Sequence, residues 1–112
     1  LVDVDPYGQP WPTLEAVFET IELAETAAVA VNDGLRQKLK YGGAWQVETM
    51  QPFAQRYGND HVYTHYLDIC QEYLTTLAEQ AGYTVTAFGG YHCGHAQQMT
   101  HYGALLEDNP NA

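Results

Sequence analysis

Positive charge is what this chain has least of. Only Arg36, Lys38, Lys40 and Arg56 carry it, against 14 acidic residues, for a net charge of −10. The chain therefore offers no basic face of its own to a phosphate backbone, and any grip on nucleic acid has to come from elsewhere. Cysteine is almost as scarce: Cys70 and Cys93 suggest no secreted disulfide framework, and a reducing cytoplasm is the expected compartment. No run of 18 apolar residues and no basic-then-apolar leader is present, so a soluble chain with no membrane span and no signal peptide is expected. Internal repeats, low-complexity tracts and any Gly-x-Gly are missing too.

What is present is a globular balance, 46% apolar and 16% charged in 112 residues. That is one domain with one modest core, and a disordered tail is expected only over Glu107 to Ala112. The first dozen residues stand out. Leu1, Val2 and Val4 alternate as a strand and run into Asp5-Pro6-Tyr7-Gly8-Gln9-Pro10-Trp11-Pro12. Ligands of open α/β sheets bind at such strand ends. The prolines fix φ and remove backbone donors, so the turn holds one shape and presents Asp5, Tyr7 and Trp11. The same residues also make an ordinary type I turn, with Asp at i, Pro at i+1 and Gly at i+3.

Pro12 and Thr13 start a helix running to about residue 24, with Glu15 in its first turn and Leu14, Val17, Phe18 and Ile21 on one face. Thr26 to Val31 follows as a strand whose apolar run Ala27-Ala-Val-Ala-Val31 fits burial on both faces, bounded by Asn32-Asp33-Gly34. Strand, helix, strand implies a right-handed parallel crossover. Residues 34 to 62 read as a helical turn at Leu35 to Leu39, a break at Tyr41-Gly-Gly43, and a short helix over Trp45 to Tyr57 interrupted by Pro52. The longest helix begins near Tyr63. Tyr66, Cys70, Tyr73, Leu74, Leu77 and Ala81 form its apolar stripe, and Gly82 is placed as its C′ residue. Tyr83 to Phe88 and Met99 to Leu106 are β-rich strands, joined hairpin-fashion by a long, ten-residue Gly- and His-rich loop.

Several constellations invite chemistry. His92-Cys93-Gly94-His95, with His101 nearby, suggests zinc, but no Cys-x-x-Cys partner completes four ligands, and a polar loop is the simpler reading; no metal is expected. His61 and His65, at i and i+4, lack the Glu of a zinc protease and are expected to flank the long helix. Cys93 has no evident base to activate it. Tyr63, Tyr66 and Tyr73 read as packing. Asp33 is either a substrate-side acceptor or the start of an Asx turn.

Val2-Asp-Val-Asp-Pro-Tyr-Gly-Gln-Pro10, followed by helix, apolar strand, helix and two strands, resembles the C-terminal half of a class I S-adenosylmethionine-dependent methyltransferase. Within that class it is similar to the tRNA guanine N2-dimethyltransferase family, whose motif reads Asp-Pro-Tyr/Phe-Gly-Ser-Pro. It is more distantly similar to the Asp-Pro-Pro-Tyr motif of amino-methylating DNA enzymes. Gln9 stands where the family has Ser, and Asn32-Asp33 resembles the family's Thr-Asp after its next strand.

The resemblance implies an α/β fold: the C-terminal half of a Rossmann-like methyltransferase sheet, mostly parallel with a terminal antiparallel strand. It implies a single catalytic and substrate-binding domain over residues 1–112, with the half carrying the S-adenosylmethionine glycine loop expected upstream. It implies methyl transfer to an exocyclic amino group, of a nucleic-acid base or another amine. The Asp5 carboxylate and the Pro6 carbonyl would accept the two N–H hydrogens, Tyr7 would stack on a flipped base, and Gly8 would let the backbone approach it. Pro10, Trp11 and Asp33 would complete the substrate side. A reading from a different class is a non-catalytic α+β binding module that forms a homodimer through an exposed sheet edge.

Overall fold

The computed structural model describes residues 2–4, 10–20, 26–39, 43, 47–59, 61–94 and 99–108. In chain order these form β1 (Val2–Val4), α1 (Trp11–Thr20), β2 (Thr26–Asp33), α2 (Arg36–Leu39), a 3-10 turn (Glu48–Met50), α3 (Gln51–Tyr57), α4 (Tyr66–Gln80), β3 (Tyr83–Cys93) and β4 (Met99–Asp108).

The four strands form one sheet in the order β1-β2-β4-β3. β1 and β2 are parallel, Val4 opposite Val31. β4 runs antiparallel to both its neighbours, along β2 from Thr26↔Glu107 to Asp33↔Thr100 and along β3 from Tyr83↔Asp108 to Cys93↔Met99. This corrects the expectation of a mostly parallel, Rossmann-like sheet. The three-strand unit β2-β4-β3 is wholly antiparallel, and the only parallel ladder among the described residues is the three-residue β1–β2 pairing, so the fold is a small α+β arrangement. The physical reason is the short connection between β3 and β4, which allows only a hairpin. Inserting that hairpin's second strand beside β2 makes both long ladders antiparallel.

The burial pattern explains a second correction. Val29, Val31 and Asp33 of β2 are buried, and Ala28, Ala30 and Asn32 between them are not. In β4, Thr100, Tyr102, Ala104 and Leu106 are buried and the residues between them face outward. The run Ala27 to Val31 is thus an alternation of small and branched side chains, one face packed and one open, and not a strand covered on both faces. Trp11 and Leu14 of α1 and Tyr66, Ile69, Cys70, Leu74 and Ala78 of α4 join the inward strand residues in a single core with Leu35, Leu39, Met50, Phe53 and Val62.

Local differences follow from the same packing. Helix α1 begins at Trp11, which moves Glu15 out of the first turn. Pro52 lies in the opening turn of α3, where its missing N–H costs nothing, and so starts a helix instead of interrupting one. Gly82 has φ +87° after α4, as its C′ placement requires. β3 continues past Phe88 to Cys93, so Gly89, Gly90 and Cys93 are strand residues and not loop. β4 likewise extends to Asp108, into what reads as tail. The edge strand β3 has a bulge between Val85 and Ala87, where the Thr86 hydroxyl donates to the Leu105 carbonyl at 3.3 Å.

Gly90 reports on how tightly β3 sits on α4. A Cβ there would lie 2.7 Å from the Tyr102 Cβ, 2.8 Å from the His101 carbonyl and 2.9 Å from Leu67 Cδ1. Gly90→Ala is expected to destabilise the protein by about 1–3 kcal/mol, as overpacking does. Urea unfolding measures it, and an unchanged midpoint would contradict this packing.

Candidate functional site

The carboxyl end of β2 holds the one buried acid among the described residues. Asp33 is 0% exposed because the period-2 pattern of β2 points it to the same side as Val29 and Val31. A carboxylate in that position needs donors, and four converge on it. Oδ1 accepts the Leu35 backbone N–H at 2.7 Å, an Asx turn that leads into α2. Oδ2 accepts the Tyr66 hydroxyl at 2.5 Å, the Tyr102 hydroxyl at 3.2 Å and the Cys70 thiol at 3.9 Å. Tyr66 and Cys70 are one turn apart on α4, and Tyr102 comes from β4.

The electrostatics match this geometry. Burial pushes the Asp33 carboxyl up to about 6, against the opposing pull of the bonds from Tyr66, Leu35, Tyr102 and Cys70. Burial also pushes up Tyr66, Cys70 and Tyr102, with the nearby Asp33 charge adding to each, so all three stay protonated as donors. With four donors converging on it and no exposure, Asp33 positions the groups around it. Of the two sequence readings of Asp33, the Asx turn is present.

The other sequence-predicted residues divide in two. Asp5, Pro6, Tyr7 and Gly8 lie outside the described residues. Pro10 is buried, and its carbonyl accepts the Leu14 N–H at 3.0 Å. Trp11 is not presented on a turn: it is 0% exposed, tilted against Tyr73 at 4.5 Å and stacked near Tyr102 at 6.3 Å. Its indole N–H is a buried donor with no partner among the described residues. Tyr102 thus touches both Trp11 and Asp33. The Tyr73 hydroxyl donates to Glu15 Oε1 at 2.5 Å, tying α4 to α1, and burial together with that bond holds Tyr73 above its ordinary range.

A further cluster at the same sheet end is missing from the sequence reading. Arg36, nearly buried, lies 4.0 Å over the Tyr63 ring. His92 Nδ1 is 2.9 Å from the Thr100 hydroxyl, and burial and then the Arg36 charge hold its imidazole below the usual range. No group of three His, Cys, Asp or Glu side chains that could hold a metal occurs among the described residues; His95 lies outside them. His65 is the N-cap of α4 without a side-chain capping bond and stacks on Tyr57 at 5.3 Å. Both cysteines are free thiols. The signal for the Asp33 cluster was present in the α4 stripe: hydroxyl and thiol tips at Tyr66 and Cys70, where leucine would pack as well, imply a buried acceptor opposite them.

Because the folded carboxyl titrates near 6 and the unfolded one near 4, the folded state binds more protons between those values. Asp33 therefore favours folding most below about pH 4 and loses up to about 3 kcal/mol of that contribution as pH rises through 6. Asp33→Asn is expected to remove this component, so the stability difference between wild type and variant shrinks or changes sign from pH 4 to 7. Urea unfolding of both proteins across that range measures it, and a pH-independent difference would contradict the assignment.

No protein-family model matches this chain, and no curated protein matches it.

Proposed function

We propose that the chain takes part in S-adenosylmethionine-dependent methyl transfer to an exocyclic amino group, with a nucleic-acid base as the acceptor class. One observation carries the reading. β1 and β2 are parallel neighbours, Val4 opposite Val31, so the two strands end toward the same edge of the sheet, and in the sequence Asp5-Pro6-Tyr7-Gly8 comes directly after β1. In open α/β sheets ligands bind at such strand ends, and the β1–β2 pair is the part of this sheet that shares that parallel pairing. The Asp33, Tyr66 and Tyr102 cluster supports it by fixing β2, α4 and β4 to one another, and Trp11 anchors the start of α1 immediately after the motif.

In this reading the Asp5 carboxylate and the Pro6 carbonyl accept the two amine hydrogens and so aim the nitrogen lone pair, and Tyr7 stacks on the base. The described residues do not fit S-adenosylmethionine. Their one buried carboxylate is engaged within the protein, and the chain has no Gly-x-Gly. In this reading the chain's own share is to hold the acceptor, and the cofactor loop is not among its residues. The acidic surface leaves the grip on an RNA backbone to another domain. Two free thiols suit a reducing cytoplasm, and no helix among the described residues is long and apolar enough to cross a membrane.

A second reading, a non-catalytic binding module that dimerises through an exposed sheet edge, is favoured by β3, an eleven-residue strand at the edge of the sheet. Sedimentation separates it: a stable homodimer with no cofactor affinity in any longer form of the protein favours the module.

Asp5→Ala, made in the protein as its cell expresses it, is expected to lower methyl transfer to guanine-containing RNA by about 10²–10³, the loss seen when one preorganised polar group is removed. Cofactor affinity and melting temperature should stay nearly unchanged. Near-normal transfer with early melting would make Asp5 a turn residue and contradict the proposal.

A further inference from the structure

The side of the sheet away from the helices carries cross-strand rows set by the register. Asn32, His101 and Tyr91 form one row, Ala30, Gly103 and Gly89 the next, and Ala28, Leu105 and Ala87 the third. The middle row has almost no side chain. The outer two are four residues apart along each strand, about 13 Å at the strand rise. Between the first two rows lies an open pocket of about 390 Å³, lined chiefly by Ala30, Asn32, Gly89, Tyr91, His101 and Gly103. That is within the size range of small-molecule sites.

Two observations set this pocket apart from a merely uncovered face. The first is Gly89. Glycine inside a strand weakens it, so each such glycine needs a reason. Gly90 has one in its contact with Tyr102 and Leu67, and a Cβ at Gly103 would come within 3.2 Å of the Val29 carbonyl. Gly89 has neither a left-handed φ nor any atom within 4 Å of where its Cβ would stand. The protein itself does not require a glycine there. The second is the wall. Tyr91 and His101 stack in parallel, 5.6 Å between ring centroids and 6° between planes, although Tyr91 stays 62% exposed. With Asn32 in the same row, an amide, an imidazole and a phenol border one side of a bare apolar floor.

We infer that this pocket binds a neutral or cationic planar heteroaromatic small molecule, its ring lying on the Gly89 and Gly103 backbone and its edge hydrogen-bonded by Asn32 and His101. Apolar floor and amphoteric edge groups together suit a ring carrying both donors and acceptors. Charge selects against anions: no Lys or Arg among the described residues lines the pocket and the chain carries −10, which also disfavours single-stranded nucleic acid and a second copy of the chain. The site is on the opposite face from Asp33 and does not depend on the methyl-transfer reading.

Adenosine is a suitable probe, with AMP as its anionic counterpart. Titration of the full chain followed by amide NMR is expected to shift Ala30, Gly89 and Gly103 saturably, with a Kd on the order of 0.1 mM, and AMP should bind several-fold more weakly. Tyr91→Ala should weaken adenosine roughly tenfold or more. Gly89→Val, which fills the floor with a good strand former, should abolish binding while keeping or raising Tm. No shifts at these amides, AMP binding as tight as adenosine, a Gly89→Val protein that still binds, or one whose Tm falls would each overturn the inference. So would a wild-type dimer that Gly89→Val dissociates, which would assign the face to self-association.

Discussion

A carboxyl group taken wholly out of water must find its donors inside the protein, and at Asp33 that requirement joins three elements that are distant in sequence. Its bonds reach Leu35 at the head of α2, Tyr66 and Cys70 on α4, and Tyr102 on β4. None of these contacts can be traded for water, since a buried acceptor left unpaired costs more than the bond is worth when made. The register of β2 against β4 and the depth at which α4 sits on the sheet are therefore coupled to one side chain. Tyr102 carries the coupling onward, because the ring that donates to Asp33 also stacks near Trp11 and so fixes where α1 begins.

That cluster gives the sheet two unlike faces. On the helical side, large side chains and the Asp33 network fill the space between α1, α4 and the strands. On the other side the same strands present alanine, glycine and a few exposed rings. Alternation along β2 and β4 produces both faces at once, and the hairpin of β3 and β4 carries them across to the edge strand. The end of the sheet near Asp33 also gathers Arg36, Tyr63, His92 and Thr100, so most of the polar chemistry inside the fold lies at one end.

Elements with a strong period were legible in the sequence. The stripe of α4, the Gly82 stop and the existence of α1, β2 and β4 follow from spacing alone, because a helix or strand that buries one face must repeat at 3.6 or 2. Strand direction was legible only in part: the connections marked β1 and β2 as a parallel crossover and β3 and β4 as a hairpin, but periodicity is the same for parallel and antiparallel pairing and did not show that β4 lies between β2 and β3 and makes both long ladders antiparallel. Ala27 to Val31 misled for a different reason, since alanine counts as apolar whether it is buried or faces out. The Gly89-Gly90 pair read as part of the loop between the last two strands, yet pairing with β4 holds both in the ladder. At the site, Asp33 was singled out and its Asx turn foreseen. Its partners Tyr66, Cys70 and Tyr102 were not, because their contacts join residues 33 to 69 positions apart and leave only the polar tips on an apolar stripe as a trace.

The Asp33 cluster can be observed directly by following the side-chain carboxyl carbon of Asp33 by NMR as pH is raised from 3 to 8. The buried, multiply bonded carboxyl is predicted to titrate with a midpoint near 6, and Tyr66→Phe, which removes a donor to the charged form, should move that midpoint upward. A midpoint at or below 4 that is indifferent to Tyr66 would mean that Asp33 is solvated, and the account of how β2, α4 and β4 are held together would be wrong.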